Sequence, residues 1–279
     1  MHYNEITPSR PLRDYVRCYW HLESSGNAAL SGVDSVVPDG CAEIILNRAD
    51  LFRRHCAGTS HLQAQVLLVG QITRAIQIQA TGSVDLIGIR FEPHGLNALL
   101  GIPMHELVNV DVCLAQVDAG LHRQLVLACE RTSLVDQIAS IEAALLAKFA
   151  QRTSKTTRSR DLVTGAVSFM NAPSTTDQIA ARLGVSRRTL QRTFRERVGL
   201  SPKLYSRIQK LQRVIRHIDS GGPVHGWTDV ALTHGYFDQS HLIRDFRLIA
   251  RTTPDKYLDN QTPIDAALAH ESVSHSSNP

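Results

Sequence analysis

The stretches LQRTFRERVGLSPKLY, residues 190–205, and LIRDFRLIARTTPDKY, residues 242–257, share one frame. Leu190, Arg192, Phe194, Arg195, Pro202 and Tyr205 each find a counterpart 52 positions later, in Leu242, Arg244, Phe246, Arg247, Pro254 and Tyr257. A leucine and a phenylalanine four apart turn to the same side of a helix, and the Ser-Pro or Thr-Pro that follows opens the next one. The chain therefore builds one helical unit twice, and any fold it adopts has to accommodate the pair.

The residues just before each frame say what the unit is. In IAARLGVSRRTLQRTF, Ala180 supplies a small residue where two helices cross. Gly184 supplies the positive φ of a tight turn, and Leu190 anchors the second helix. These are the requirements of a helix-turn-helix. Ser186 stands at the N-cap of the second helix. With Leu190 and Phe194 turned inward, Arg188, Gln191 and Arg192 face outward, and Arg187 lies just inside the cap. Arg suits paired donation to guanine and Gln suits paired contacts to adenine, which is the chemistry of major-groove reading. Arg195 and Arg197, further along, are placed for phosphate. The second copy repeats the logic with Ala231, Gly235 and Leu242; its turn, GYFDQS, is one residue longer, Asp238 takes the cap, and Gln239, Ser240 and Arg244 project outward.

Between the copies, Leu204, Ile208, Leu211, Ile215 and Ile218 form one apolar stripe. It predicts a helix of about 17 residues, or roughly 25 Å. Such a strut can hold two recognition helices about 34 Å apart, one turn of B-DNA, so that both enter the major groove from one side.

Charge points the same way. Residues 152–258 hold 19 Lys and Arg against 8 Asp and Glu, whereas residues 1–151 hold 11 against 15, an asymmetry hidden in a net charge of +4. Positive charge gathered in one segment is the footprint of a polyanionic partner. We find no long apolar run and no signal segment at Met1, so the expected location is the cytoplasm with no membrane contact.

Before residue 92 the pattern is strand-like: VVPDGCAEIILN carries an apolar run after a Pro-Asp-Gly turn, and RAIQIQATGSVDLIGIRF alternates apolar and polar positions. These segments predict a sheet or barrel. Apolar alternation selects Ile44, Leu46, Ile76, Ile78, Ile87 and Ile89 as inward residues, either plain core or the lining of a small-molecule effector pocket. From Leu134 to Phe149 the apolar residues step by three and four, and this helical stripe must pack on the sheet or on a second subunit. The expected organisation is a sensing or dimerisation domain over 1–150, a linker over 151–160, an all-α domain of two helix-turn-helix units joined by a long helix over 161–258, and a disordered tail over 259–279.

Residues 158–258 resemble the DNA-binding domain of the AraC/XylS family of bacterial transcription regulators, through IAARLGVSRRTLQRTFRERVGLSPKLY and GYFDQSHLIRDFRLIARTTPDKYL. The resemblance implies base contacts near Arg188, Gln191 and Arg192 in the first unit and Gln239, Ser240 and Arg244 in the second. It also implies duplex DNA as partner, with RNA polymerase, a small-molecule effector and a second copy of the chain as further ones. One position departs from the family pattern: the glycine kept as Gly199 in the first copy is Arg251 in the second. VVPDGCAEIILN and GIRFEPHGLNALLGIPMHELVN resemble the N-terminal domain of a less characterised branch of the family, which implies a cupin-like β-barrel within an α+β chain.

Rival chemistries lack their residues. There is no Gly-x-Ser-x-Gly elbow, no His-Glu-x-x-His and no Gly-rich phosphate loop. Glu92 and His94 near a strand end read as turn residues, and His21, His55 and His61 form no His-x-His pair. No catalytic residue, metal or cofactor is expected, and the chain is read as no enzyme. Five scattered cysteines, at 18, 41, 56, 113 and 129, argue against a disulfide framework or a Cys-rich zinc site. The alternative reading is a regulator whose N-terminal domain senses oxidation or methylation damage through cysteine.

Overall fold

The computed structural model describes residues 1–24, 32–56, 58–152, 157–170, 174–224 and 226–259. Its first part is built on ten strands: β1 (His2–Ile6), β2 (Val16–Glu23), β3 (Asp34–Val36), β4 (Glu43–Asn47), β5 (Phe52–Cys56), β6 (Thr59–Leu62), β7 (Val66–Val69), β8 (Ile76–Ala80), β9 (Asp85–Phe91) and β10 (Asp111–Cys113). They divide into a six-stranded sheet in the order β1-β2-β9-β4-β7-β10 and a four-stranded sheet in the order β3-β8-β5-β6. Among the described residues no hydrogen-bonded ladder closes the two sheets into a single barrel.

Three α-helices follow among the described residues: α1 (Gly95–Leu100), α2 (Ala119–Cys129) and α3 (Leu134–Ala150). They cover one face of the larger sheet, and the stripe of α3 packs there rather than on a second subunit: Ile138, Ile141 and Leu145 share a core with Ile44, Leu68, Ile87 and Ile89. The other face looks towards the smaller sheet across Trp20, Leu22, Phe52 and Leu86. Both faces are therefore covered, which is why β2 is buried along nearly its whole length. Trp20 lies opposite Gly88 in the β2–β9 register, and a Cβ at position 88 would stand 1.8 Å from its indole.

Among the described residues, seven α-helices form the second part: α4 (Thr157–Met170), α5 (Thr176–Arg182), α6 (Arg187–Arg197), α7 (Pro202–Asp219), α8 (Trp227–Thr233), α9 (Gln239–Asp245) and α10 (Pro254–Asp259). Helix α4 begins inside the stretch read as a linker, of which residues 153–156 lie outside the described residues. The tail read as disordered likewise lies outside them from residue 260 onwards.

One core serves both helix-turn-helix units. Leu190 and Phe194 from α6, Leu242 and Phe246 from the second unit, and Ile208, Leu211, Ile215 and Ile218 from α7 are all buried together. The repeated frame is visible as repeated contacts: the Phe194 and Tyr205 rings meet edge to face at 5.5 Å, and the Phe246 and Tyr257 rings at 6.0 Å. At 18 residues α7 is about 27 Å long.

Candidate nucleic-acid interface and interior cavity

The second helix of each unit, α6 or α9, is capped as its sequence requires. The Ser186 hydroxyl accepts from the Thr189 amide at 3.1 Å, and the Asp238 carboxylate accepts from the His241 amide at 2.7 Å. Gly184 and Gly235 take the positive φ of the two turns, at 63° and 78°. At position 251 the left-handed backbone is kept although the side chain is not glycine. Arg251 adopts φ 57° where Gly199 adopts φ 94°, a left-handed conformation that costs a side chain about 1–2 kcal/mol. The second reader ends in a wide turn over Phe246–Ala250 just before it.

Arg187, Arg188, Gln191, Arg192 and Arg195 of α6 are exposed, as are Gln239, Ser240 and Arg244 of α9. Arg187 reaches back to Asp177 on α5 at 3.3 Å. Arg188, Arg192, Arg195 and Arg244 make no ion pair within the described residues, and their spacing on α6 and α9 keeps them on outer faces. Arg197 lies elsewhere from where its sequence position placed it. Its guanidinium donates to the Asn97 side-chain carbonyl at 2.6 Å, because the first unit is docked on α1 at that point.

That docking recurs along the boundary between the two parts. Gln209 and Gln212 of α7 donate to the carbonyls of Asp39 and Pro38 at 2.6 and 2.7 Å, so the Pro-Asp-Gly turn of the sequence is seated on the strut. The Ala75 amide donates to the Ile249 carbonyl of the second unit at 2.6 Å.

Between the two sheets, and walled on one side by α7, lies a cavity of about 190 Å³. Ile76 and Ile78 line it, with Trp20, Ile45, Phe52 and Leu86. Ile44, Leu46, Ile87 and Ile89 do not: they lie on the opposite face of the larger sheet, in the core against α2 and α3. The face of β4 that looks into the cavity carries Glu43, Ile45 and Asn47, and that of β9 carries Leu86 and Arg90. Cross-strand partners in the register, Glu43 and Arg90 form a buried ion pair at 2.6 Å. Trp20 Nε1 donates to the same carboxylate at 3.3 Å. Burial pushes the Glu43 carboxyl above its ordinary range and the Arg90 charge pulls it back. From α7 come Gln212, Ile215 and Arg216, which sequence reasoning did not connect with a pocket; burial pulls the Arg216 guanidinium down. The polar positions 43 and 47 flanking Ile45, in a strand otherwise apolar, were the available signal.

The remaining candidates take ordinary places. His94 stands at the start of α1 with its ring edge-on to Tyr15, and burial drives its pKa down to about 4. Burial raises the thiols of Cys18, to about 12, and Cys41, so neither favours the reactive thiolate. Among the described residues no cluster of His, Cys, Asp or Glu has the makings of a metal site, and no helix is long and apolar enough to cross a membrane.

Two helix-turn-helix units on one core, each presenting an exposed polar or basic helix face, define a DNA-binding module. A helix-turn-helix domain family matches residues 179–260, and a domain of unknown function (DUF6597) matches residues 4–113. The chain belongs to the AraC/XylS family of DNA-binding transcription regulators. An AraC-type transcriptional regulator from Chromobacterium violaceum is 30% identical, with 36% of this chain and 92% of that one covered and a TM-score of 0.34. ToxT from Vibrio cholerae is 10% identical over 86% of this chain and 98% of its own, with a TM-score of 0.48. The same protein with an unsaturated fatty acid bound is 14% identical, over 85% and 94%, with a TM-score of 0.46. No curated protein matches the chain. The family is one of DNA-binding transcription regulators.

Proposed function

We propose that this regulator grips one side of duplex DNA with α6 and α9 in successive major grooves, while a small molecule in the interior cavity adjusts the grip. The observation that carries the first half is the shared core: α6 and α9 are both fixed to α7, so their exposed faces are presented as one rigid unit. Arg188, Gln191 and Arg192 select bases in one groove, Gln239, Ser240 and Arg244 in the next, and Arg187 and Arg195 hold phosphate and set the register. Each neutralised phosphate releases counterions, so affinity falls steeply as salt rises.

The deciding experiment is selection of bound duplexes from a random library, with wild type and Arg192→Ala compared. Wild type is expected to enrich two elements about one helical turn apart. Arg192→Ala is expected to lose about 1–3 kcal/mol on the selected site and to relax preference at one or two base pairs. Uniform weakening on all sequences would make Arg192 a phosphate contact and overturn its assignment.

The cavity supports the second half because α7 forms one of its walls, so any occupant touches the strut that carries both readers. Its size is comparable to cavities of about 150 Å³ that admit benzene, which suits a small, mainly apolar molecule. Such a ligand changes DNA affinity only as far as it binds the docked and undocked arrangements differently. At 100 times its dissociation constant it stabilises the full chain by about 2.7 kcal/mol. Ile76→Trp, which fills the space, is expected to remove that shift in melting temperature. A broad metabolite panel that shifts nothing, or a shift that survives Ile76→Trp, counts against an effector in this cavity.

A further inference from the structure

Within the second helix-turn-helix unit, the turn between α8 and α9 is one residue longer than its counterpart. Gly184 is followed by Val185 and the cap Ser186, Gly235 by Tyr236, Phe237 and the cap Asp238. Tyr236 is buried, at 3% exposure, and packs in the core as Val185 does in the first unit. The added residue is therefore Phe237, and its side chain is 85% exposed, the highest value for a large hydrophobic residue among those described. A phenylalanine so placed contributes nothing to the core, and leaving its ring in water forgoes the favourable burial that an aromatic side chain otherwise gains.

Its surroundings say what covers it. Phe237 opens an unbroken run of exposed residues, Phe237 to Ser240, that ends in Gln239 and Ser240 at the start of α9, the two side chains assigned above to base contacts. Asp238 stands between them, its carboxylate engaged with the His241 amide at 2.7 Å. Arg244 follows on the same helix, exposed and without an ion pair in the described residues. The base edges of the major groove display one apolar group, the C5-methyl of thymine, and phenylalanine is among the side chains suited to it. We infer that Phe237 packs on a thymine methyl in the groove entered by α9, so that the second unit reads one base pair through apolar contact. The inference rests on the reading of α9 as a base reader.

The test uses the full chain and the duplex it selects, with each thymine in turn replaced by deoxyuridine, which keeps the hydrogen-bonding edge and removes only the methyl. Affinities are measured by competition for wild type, Phe237→Ala and Gln239→Ala. In wild type, one substitution within the α9 half-site is expected to weaken binding about fourfold, the worth of one buried methyl. Phe237→Ala, with an unchanged melting temperature because the ring is exposed, is expected to lose nothing at that position. A Phe237→Ala profile identical to that of wild type overturns the inference, as does the absence of any methyl-dependent thymine in that half-site. If Gln239→Ala alters base preference there while Phe237→Ala does not, the base-reading role of α9 stands and only the methyl contact falls. If neither variant alters preference, both fall together.

Discussion

Phe194→Ala is expected to destabilise the protein by about 3–5 kcal/mol and to abolish DNA binding, although the side chain never meets DNA. The ring is fully buried and stands edge-on to Tyr205 at the start of α7. Truncating it removes the transfer free energy of the ring and leaves a cavity that the surrounding helices only partly fill. The loss is not confined to the first reader. Phe194 shares its core with α7 and with Leu242 and Phe246 of the second unit, so a void here loosens the strut on which both readers are held. Domains are stable by only about 5–15 kcal/mol, and one such substitution removes a large part of that. Denaturant unfolding and DNA binding measured on the same preparations check it. A Phe194→Ala variant as stable as wild type contradicts the anchor role. Arg192→Ala supplies the contrast: exposed, it is expected to leave unfolding unchanged and to alter sequence preference.

The two helix-turn-helix units were legible because helical geometry writes itself into spacing. Leu190 and Phe194 recur as Leu242 and Phe246, the caps fall at Ser186 and Asp238, and the turn glycines take the positive φ their positions demand. The cavity was not legible, and the reason is the covering of both sheet faces. Apolar alternation picks the more apolar face of β4 and β9, and that face holds Ile44, Leu46, Ile87 and Ile89 against the helices. The face turned to the cavity mixes Glu43, Ile45, Asn47 and Arg90, a pattern that reads as solvent-facing until the second sheet is seen to cover it. The wall contributed by α7 was further out of reach, since Pro38 and Gln212 are brought together by docking rather than by any local pattern. Arg197 shows the same limit: its helix position is right for phosphate, and a long-range contact with Asn97 places it elsewhere. Period and capping report local structure, whereas the choice of face depends on what the rest of the chain brings to it.

Arg207→Met is expected to cost about 3–5 kcal/mol and to detach the second reader while sparing the first. Arg207 lies on α7 and donates through Nε to Asp245 Oδ1 at 3.2 Å, with Nη2 donating to the same oxygen, and so ties the C-terminal end of α9 to the strut. The two partners are unequally placed: the Asp245 side chain is 1% exposed and that of Arg207 30%. Removing the arginine strands a carboxylate away from water, the expensive half of breaking a buried pair. Removing the charge from the other side, in Asp245→Asn, keeps an acceptor and leaves a guanidinium that reaches solvent, so the expected cost is nearer 1–2 kcal/mol. Arg207→Met combined with Asp245→Leu replaces the pair by apolar groups and is expected to recover most of the stability lost in Arg207→Met alone. In binding, Arg207→Met is expected to keep the base preferences of the α6 half-site and lose those of the α9 half-site. Equal costs for Arg207→Met and Asp245→Asn in denaturant unfolding would falsify the asymmetry. Retention of preference in both half-sites would show that α9 is held by the shared core around Phe246 rather than by this pair.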